Sequence, residues 1–169
     1  MDGEATSEAD YKNLHPRILY AEIGAVPPSD CYDIGAWPRQ LVKRAMLILL
    51  NALTKRKALG AIVNCDAMKA MGLPDIEAKK QANQLIDDIK DAHRPIAKAF
   101  HSGVGLRLQH IESQMAERVM LKALRQGFLA LSMHDGFIAK NCHAQNLEDI
   151  MAETALDYGL SGPIVELQG

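Results

Sequence analysis

Residues 128–139 read Phe-Leu-Ala-Leu-Ser-Met-His-Asp-Gly-Phe-Ile-Ala, two short apolar runs parted by the polar pair His134-Asp135. The runs, Phe128 to Met133 and Gly136 to Ala139, are too short for stable helices and suit strands joined by a tight turn. A hairpin in a chain whose other segments carry helical spacing points to an α-rich α+β fold. It also places an acid at its tip. Two paired strands hold the backbone still, so a carboxylate there suits one oxygen position of an octahedral divalent cation such as Mg²⁺.

The helical segments follow from their apolar period and their punctuation. His15-Pro16 opens a short helix to about Glu22, with proline in its first turn. Residues 24–38 hold three prolines, two glycines and the single tryptophan, and read as an irregular connection. From Pro38 to about Gly60 the stripe Leu41, Val42, Ala45, Met46, Leu49, Leu50, Leu53 predicts one continuous helix. Pro74 opens a second long helix with Ile76, Ala82, Leu85, Ile86, Ile89 and His93 on one side. Pro95 interrupts it, and Gly103 and Gly105 break the chain again. A third helix, about 105–126, ends at Gly127 with Arg125 in its last turn. After the hairpin, residues 144–158 carry Leu147, Ile150, Met151 and Leu156 at helical spacing, Gly159 stops them, and Ile164 to Leu167 supply a last strand. Residues 1–9 are acidic and small, and Glu4 to Ala9 are poor strand formers, so this end is expected to fray.

A chain of 169 residues fits a single domain with a real core. Its net charge of −2 gives no general attraction to nucleic acid or anionic membranes, so any phosphate binding rests on local clusters. Cys31, Cys65 and Cys142 lack the spacing of a disulfide framework or a zinc knuckle, which points to a reducing, cytoplasmic setting. No run approaches the roughly 20 apolar residues of a membrane span, so no membrane partner is expected.

The string Asp10-Tyr11-Lys12-Asn13-Leu14-His15-Pro16-Arg17 resembles motif A of the family A DNA polymerases, relatives of the single-subunit phage RNA polymerases. The family pattern is Asp-Tyr-Ser-Gln-Ile-Glu-x-Arg. The leading acid, the aromatic, the apolar fifth position and the eighth-position arginine are shared. Arg39-x-x-x-Lys43 resembles motif B of the fingers helix, and His134-Asp135 with its apolar flanks resembles motif C. Phe100-His101-Ser102 before a glycine-broken turn is similar to the matching stretch of the phage enzymes. The order of the three motifs is that of the family. The resemblance implies a truncated, palm-like catalytic hairpin with fingers-like helices: residues 1–22 as the motif A segment, 38–100 as the fingers-like helices and 104–169 as the palm-like remainder. It departs from the family at Leu47 and Asn51-Ala52, where large residues and a Tyr-Gly pair are usual, and at His15, where motif A has glutamate. The strand that precedes the motif A aspartate in the family is expected to be missing.

The chemistry implied is two-metal phosphoryl transfer, with Asp10 and Asp135 as catalytic acids holding Mg²⁺ (or Mn²⁺) and the Tyr11 carbonyl as a further ligand. Arg39, by a bidentate fork, and Lys43, as a point charge, lie one turn apart at a helix N-terminus and suit a nucleoside triphosphate. His15, Arg17 and His134 complete the substrate set that the resemblance implies. Each residue also has an ordinary role: Asp10 a surface acid, His134-Asp135 a polar turn, Arg39 and Lys43 a solvated helix face, His101 a core or turn histidine, His93 a satisfied packing residue. A different class of function follows from the departures: a degenerate polymerase-like module that binds nucleic acid or a protein, with an open sheet edge completed by a partner chain or by a second copy in a homo-oligomer.

Overall fold

The computed structural model describes residues 3–133, 136–162 and 164–168. In chain order the elements are β1 (Thr6–Tyr11), α1 (Leu14–Glu22), α2 (Arg39–Asn51), α3 (Lys55–Val63), α4 (Asp66–Lys69), α5 (Asp75–Ala92), α6 (Gly105–Arg125), β2 (Leu131–Met133), β3 (Gly136–Lys140), α7 (Ala144–Asp157) and β4 (Val165–Gln168). They fall into two compact units, one built from the chain up to Val26 and from Leu108 onward, the other from Pro27–Arg107. The fold is α-rich α+β. Among the described residues no helix is long and apolar enough to cross a membrane.

The first unit is organised on a four-stranded antiparallel sheet of order β2-β3-β1-β4. The strand expected to be missing before Asp10 is therefore present, and it is central. Its propensity is low, but both of its edges are paired: Thr6 to Asp10 run against Lys140 to Gly136, and Glu8 to Tyr11 against Gln168 to Val165. Pairing and burial against neighbours decide strand formation more than intrinsic preference does. Alternation sorts the side chains onto two faces. Ala9 and Tyr11, with Phe137 and Ala139 opposite, are buried on the face covered by α7, which contributes Leu147, Ile150, Met151 and Ala155. Thr6, Glu8 and Asp10 lie on the other face.

Tyr11 locks the two layers together. Its phenol donates to the Met151 carbonyl at 3.0 Å, and its ring meets Phe137 edge-on at 6.2 Å. Burial, with Tyr158 nearby, pushes its pKa well above the ordinary tyrosine value. Along the outside, Lys122 of α6 sits 3.2 Å from both Glu153 and Asp157 of α7.

In the second unit the helix expected over Pro38–Gly60 is two helices. Ala52 turns extended, and Thr54 caps α3 by accepting the Lys57 N–H, so the shared apolar stripe runs across a break that the threonine cap signals. Ile76 is also misplaced in the reading above: it is 84% exposed. The buried face of α5 is Ala78, Ala82, Leu85, Ile86 and Ile89, and Ile76 lies about 200° around the helix from Ala78. The helices over 105–126 and 144–158 and the last strand fall within a few residues of their expected bounds.

Replacing Tyr11 with phenylalanine removes the phenol's bond to the Met151 carbonyl, which keeps only its partner within α7. The expected cost is about 1 kcal/mol of unfolding free energy, read as a lower denaturant midpoint with an unchanged slope.

Candidate functional site

Asp10 occupies the next-to-last position of β1, on the face away from α7. Its cross-strand neighbours are Gly136 of β3 and Glu166 of β4. The carboxylate leans to the β3 side, lying so close over Gly136 that a methyl group there would overlap Asp10 Oδ1. Glu166 points its charge elsewhere, to Lys12 Nζ at 3.3 Å. Glu8, two residues before Asp10, and Ile138, opposite Glu8, continue the same face. Leu131 and Met133 of the edge strand β2 are 53% and 45% exposed on it. His134 and Asp135 lie outside the described residues; they join β2 to β3, and Asp135 immediately precedes Gly136 in the chain.

The rest of the string from Tyr11 to Arg17 is spread over structural tasks. Tyr11 faces the core. Asn13 takes a left-handed conformation (φ 54°) that turns β1 into α1, and its buried amide has no hydrogen-bond partner among the described residues. His15 Nε2 is 2.9 Å from Glu112 Oε2 of α6 in a half-buried pair. Arg17 is 4% exposed, and one guanidinium nitrogen donates to the Ser161 carbonyl at 3.0 Å, tying α1 to the turn before β4.

Arg39 and Lys43 belong to the second unit, where they begin α2. Arg39 is engaged: Nε is 2.6 Å from Asp30 Oδ2, a terminal nitrogen is 3.4 Å from Asp30 Oδ1, and the guanidinium lies 5.4 Å from the centroid of the Tyr32 ring. Lys43 is exposed. Asp30 is presented by the irregular segment at 27–38, which is pinned twice to α5. His93 Nε2 donates to the Cys31 carbonyl at 2.9 Å, and the Trp37 indole donates to Asp88 at 2.8 Å. His93 is fully buried and satisfied, as its apolar stripe suggested. His101 has a positive φ of 62°, its N–H donates to the Leu49 carbonyl, and neither ring nitrogen has a partner among the described residues.

The sequence reading missed three participants. Gly136 is part of a strand as its apolar run predicts, and a glycine directly after an acid is in addition a signal for close approach. Asp30 could have been found from its turn-forming position, where Oδ1 accepts the Tyr32 N–H at 2.9 Å. Glu112 carries no signal, since only folding brings it to His15. Among the described residues, no three His, Cys, Asp or Glu side chains converge tightly enough to hold a metal ion by themselves. No protein-family model matches the chain, and no curated protein matches its sequence.

Burial lowers the pKa of His93, against the raising effect of its bond to Cys31, and burial with Lys90 and Lys55 lowers that of His101. The unfolded chain, with histidines near 6.5, then binds more protons than the folded one as acid is added. Unfolding free energy is expected to fall as the pH drops from about 7.5 through the ordinary histidine value, and His93→Gln should flatten part of that slope. Denaturant melts across this range provide the check.

Proposed function

We propose that the exposed face of the sheet is the metal-binding floor of a polymerase A-like nucleotidyltransferase domain. One observation supports this most: Asp10 on β1 is paired with Gly136, the chain neighbour of Asp135. The sequence thus sets Asp135 one residue before the cross-strand neighbour of Asp10, although more than a hundred residues separate the two acids along the chain. The strand β1 leading into Asp10 supports this reading, because the family's motif A aspartate follows a strand, while the departures at Leu47, Asn51-Ala52 and His15 stand.

The donor set fits a hard divalent cation. Asp10 and Asp135 would hold it through oxygen, and water would fill the remaining positions, as Mg²⁺ prefers. When bound, such ions favour ionisation of an attacking hydroxyl and steady a leaving pyrophosphate. The protein's own parts are then simple. Tyr11, anchored in the core, keeps β1 from sliding, and Arg17 supports the turn leading to β4. Arg39 and Lys43 belong to the other unit, and their assignment to a triphosphate is carried by the resemblance alone; there Arg39 would exchange Asp30 for phosphate oxygens. An exposed ion pair of this kind is worth under about 1 kcal/mol, so the exchange is cheap.

A second reading has its own observation. β2 is an edge strand carrying the exposed side chains of Leu131 and Met133, with Leu129 63% exposed just before it. A degenerate module that pairs through this edge with another chain would use those residues and need no metal.

Titration with Mn²⁺, followed by a nucleoside triphosphate, separates the two. The nucleotidyltransferase reading expects saturable Mn²⁺ binding that is lost in Asp10→Asn and in Asp135→Asn, and weaker triphosphate binding in Arg39→Ala and Lys43→Ala. Absence of Mn²⁺ binding, together with concentration-dependent association relieved by Leu131→Lys, would favour the module.

A further inference from the structure

β4 is the sheet edge opposite β2, and among the described residues β1 is its only strand neighbour. An edge strand leaves one row of backbone N–H and C=O groups without a ladder partner. Val165–Gln168 carries neither the lysine nor the proline that commonly guards such an edge. Val165 pairs with Tyr11 and so lies on the face that α7 covers, while Glu166, paired with Asp10, lies on the other.

A groove of about 210 Å³ runs between α7 and β4. Its helical wall is Glu148, Ala152 and Leu156, four residues apart and therefore one row along α7. Leu160, Ile164 and Val165 line the rest. Leu160 and Ile164 are buried, but Leu156 is 65% exposed. Sites for whole small molecules enclose about 300–1,000 Å³, so this volume suits side chains entering from an added strand. The spacing agrees. Residues four apart on a helix rise about 6 Å, and side chains on one face of a strand repeat about every 6.7 Å. A strand laid against β4 sets successive side chains against Leu156, Ala152 and Glu148.

Charge decides the kind of strand. Glu153 and Asp157 of α7 are met by Lys122, and Asp157 also by Arg118. Half-buried Glu148 has no cation among the described residues; its carboxylate accepts only from the Gln145 amide, at 3.3 Å. The groove thus offers an apolar side chain at one end and an acid without a counter-charge at the other.

We propose that the α7–β4 groove docks an extended segment of another protein, which adds a strand to β4 and places an apolar side chain against Leu156 and a basic one, four residues away, against Glu148. Backbone pairing supplies the affinity in this mode, and the alternate side chains supply the selectivity. The proposal stands apart from the metal-site reading, because Asp10 lies on the opposite face of the sheet.

The test is fluorescence anisotropy with two labelled peptides, Leu-Thr-Ala-Thr-Lys-Thr and Lys-Thr-Ala-Thr-Leu-Thr, which cover parallel and antiparallel addition. Counterparts with glutamate in place of lysine serve as controls. Each is titrated with the intact chain, Glu148→Lys and Ala152→Trp, and thermal melts establish that the variants fold. A lysine peptide is expected to bind saturably and about tenfold or more tighter than its glutamate counterpart. Glu148→Lys should reverse that preference, and Ala152→Trp, which fills the groove, should abolish binding. If Ala152→Trp does not fold, the charge swap decides. No saturation by any peptide up to about 1 mM, or a preference unchanged in Glu148→Lys, would overturn the proposal. Self-association of the intact chain in analytical ultracentrifugation, lost in Ala152→Trp, would also overturn it and assign the groove to a second copy.

Discussion

The double-sided pairing of β1 is the interaction on which the sheet unit depends. Six residues of modest strand propensity become an interior strand because β3 pairs with Thr6 to Asp10 and β4 with Glu8 to Tyr11. Once seated, β1 can present only two sets of side chains. Ala9 and Tyr11 go under α7, where a small and a large residue fill the layer, and Asp10 goes to the opposite face. A slip of one residue in the register would bury the acid and expose the tyrosine, so the Tyr11 bond to Met151 also guards the orientation of Asp10.

The helices were legible in the sequence where punctuation and period agree. Gly127 and Gly159, both at positive φ, end α6 and α7 as read. β3 and β4 were legible from short apolar runs, whereas of the run Phe128 to Met133 only Leu131–Met133 is strand. What was hidden had a common cause: contacts between residues distant in sequence. The strand at Thr6–Tyr11 has too few branched or aromatic residues to announce itself, and only β3 and β4 make it a strand. The break between α2 and α3 was masked because apolar residues on both sides keep the same spacing. Ile76 looked like a continuation of the stripe, but the true face starts two residues later.

The candidate residues divide in a similar way. Asp10 was recognisable from its string, and its pairing with Gly136 was not. Arg17, grouped with the substrate contacts by resemblance, is buried and holds α1 to the turn before β4; the Tyr11 side chain is buried under α7, and the ligand that the resemblance implies there is its backbone carbonyl. Arg39 keeps its fork geometry, applied to Asp30. Its carboxylate partner shows that this guanidinium is arranged for two oxygen acceptors side by side, the same demand that a phosphate makes.

The most direct test is anomalous diffraction from a crystal of the chain soaked in Mn²⁺. The account predicts a peak within about 2 Å of a carboxylate oxygen of Asp10 and of one of Asp135, on the sheet face away from α7. A well-occupied Mn²⁺ bound elsewhere, with the two carboxylates turned apart, would contradict it.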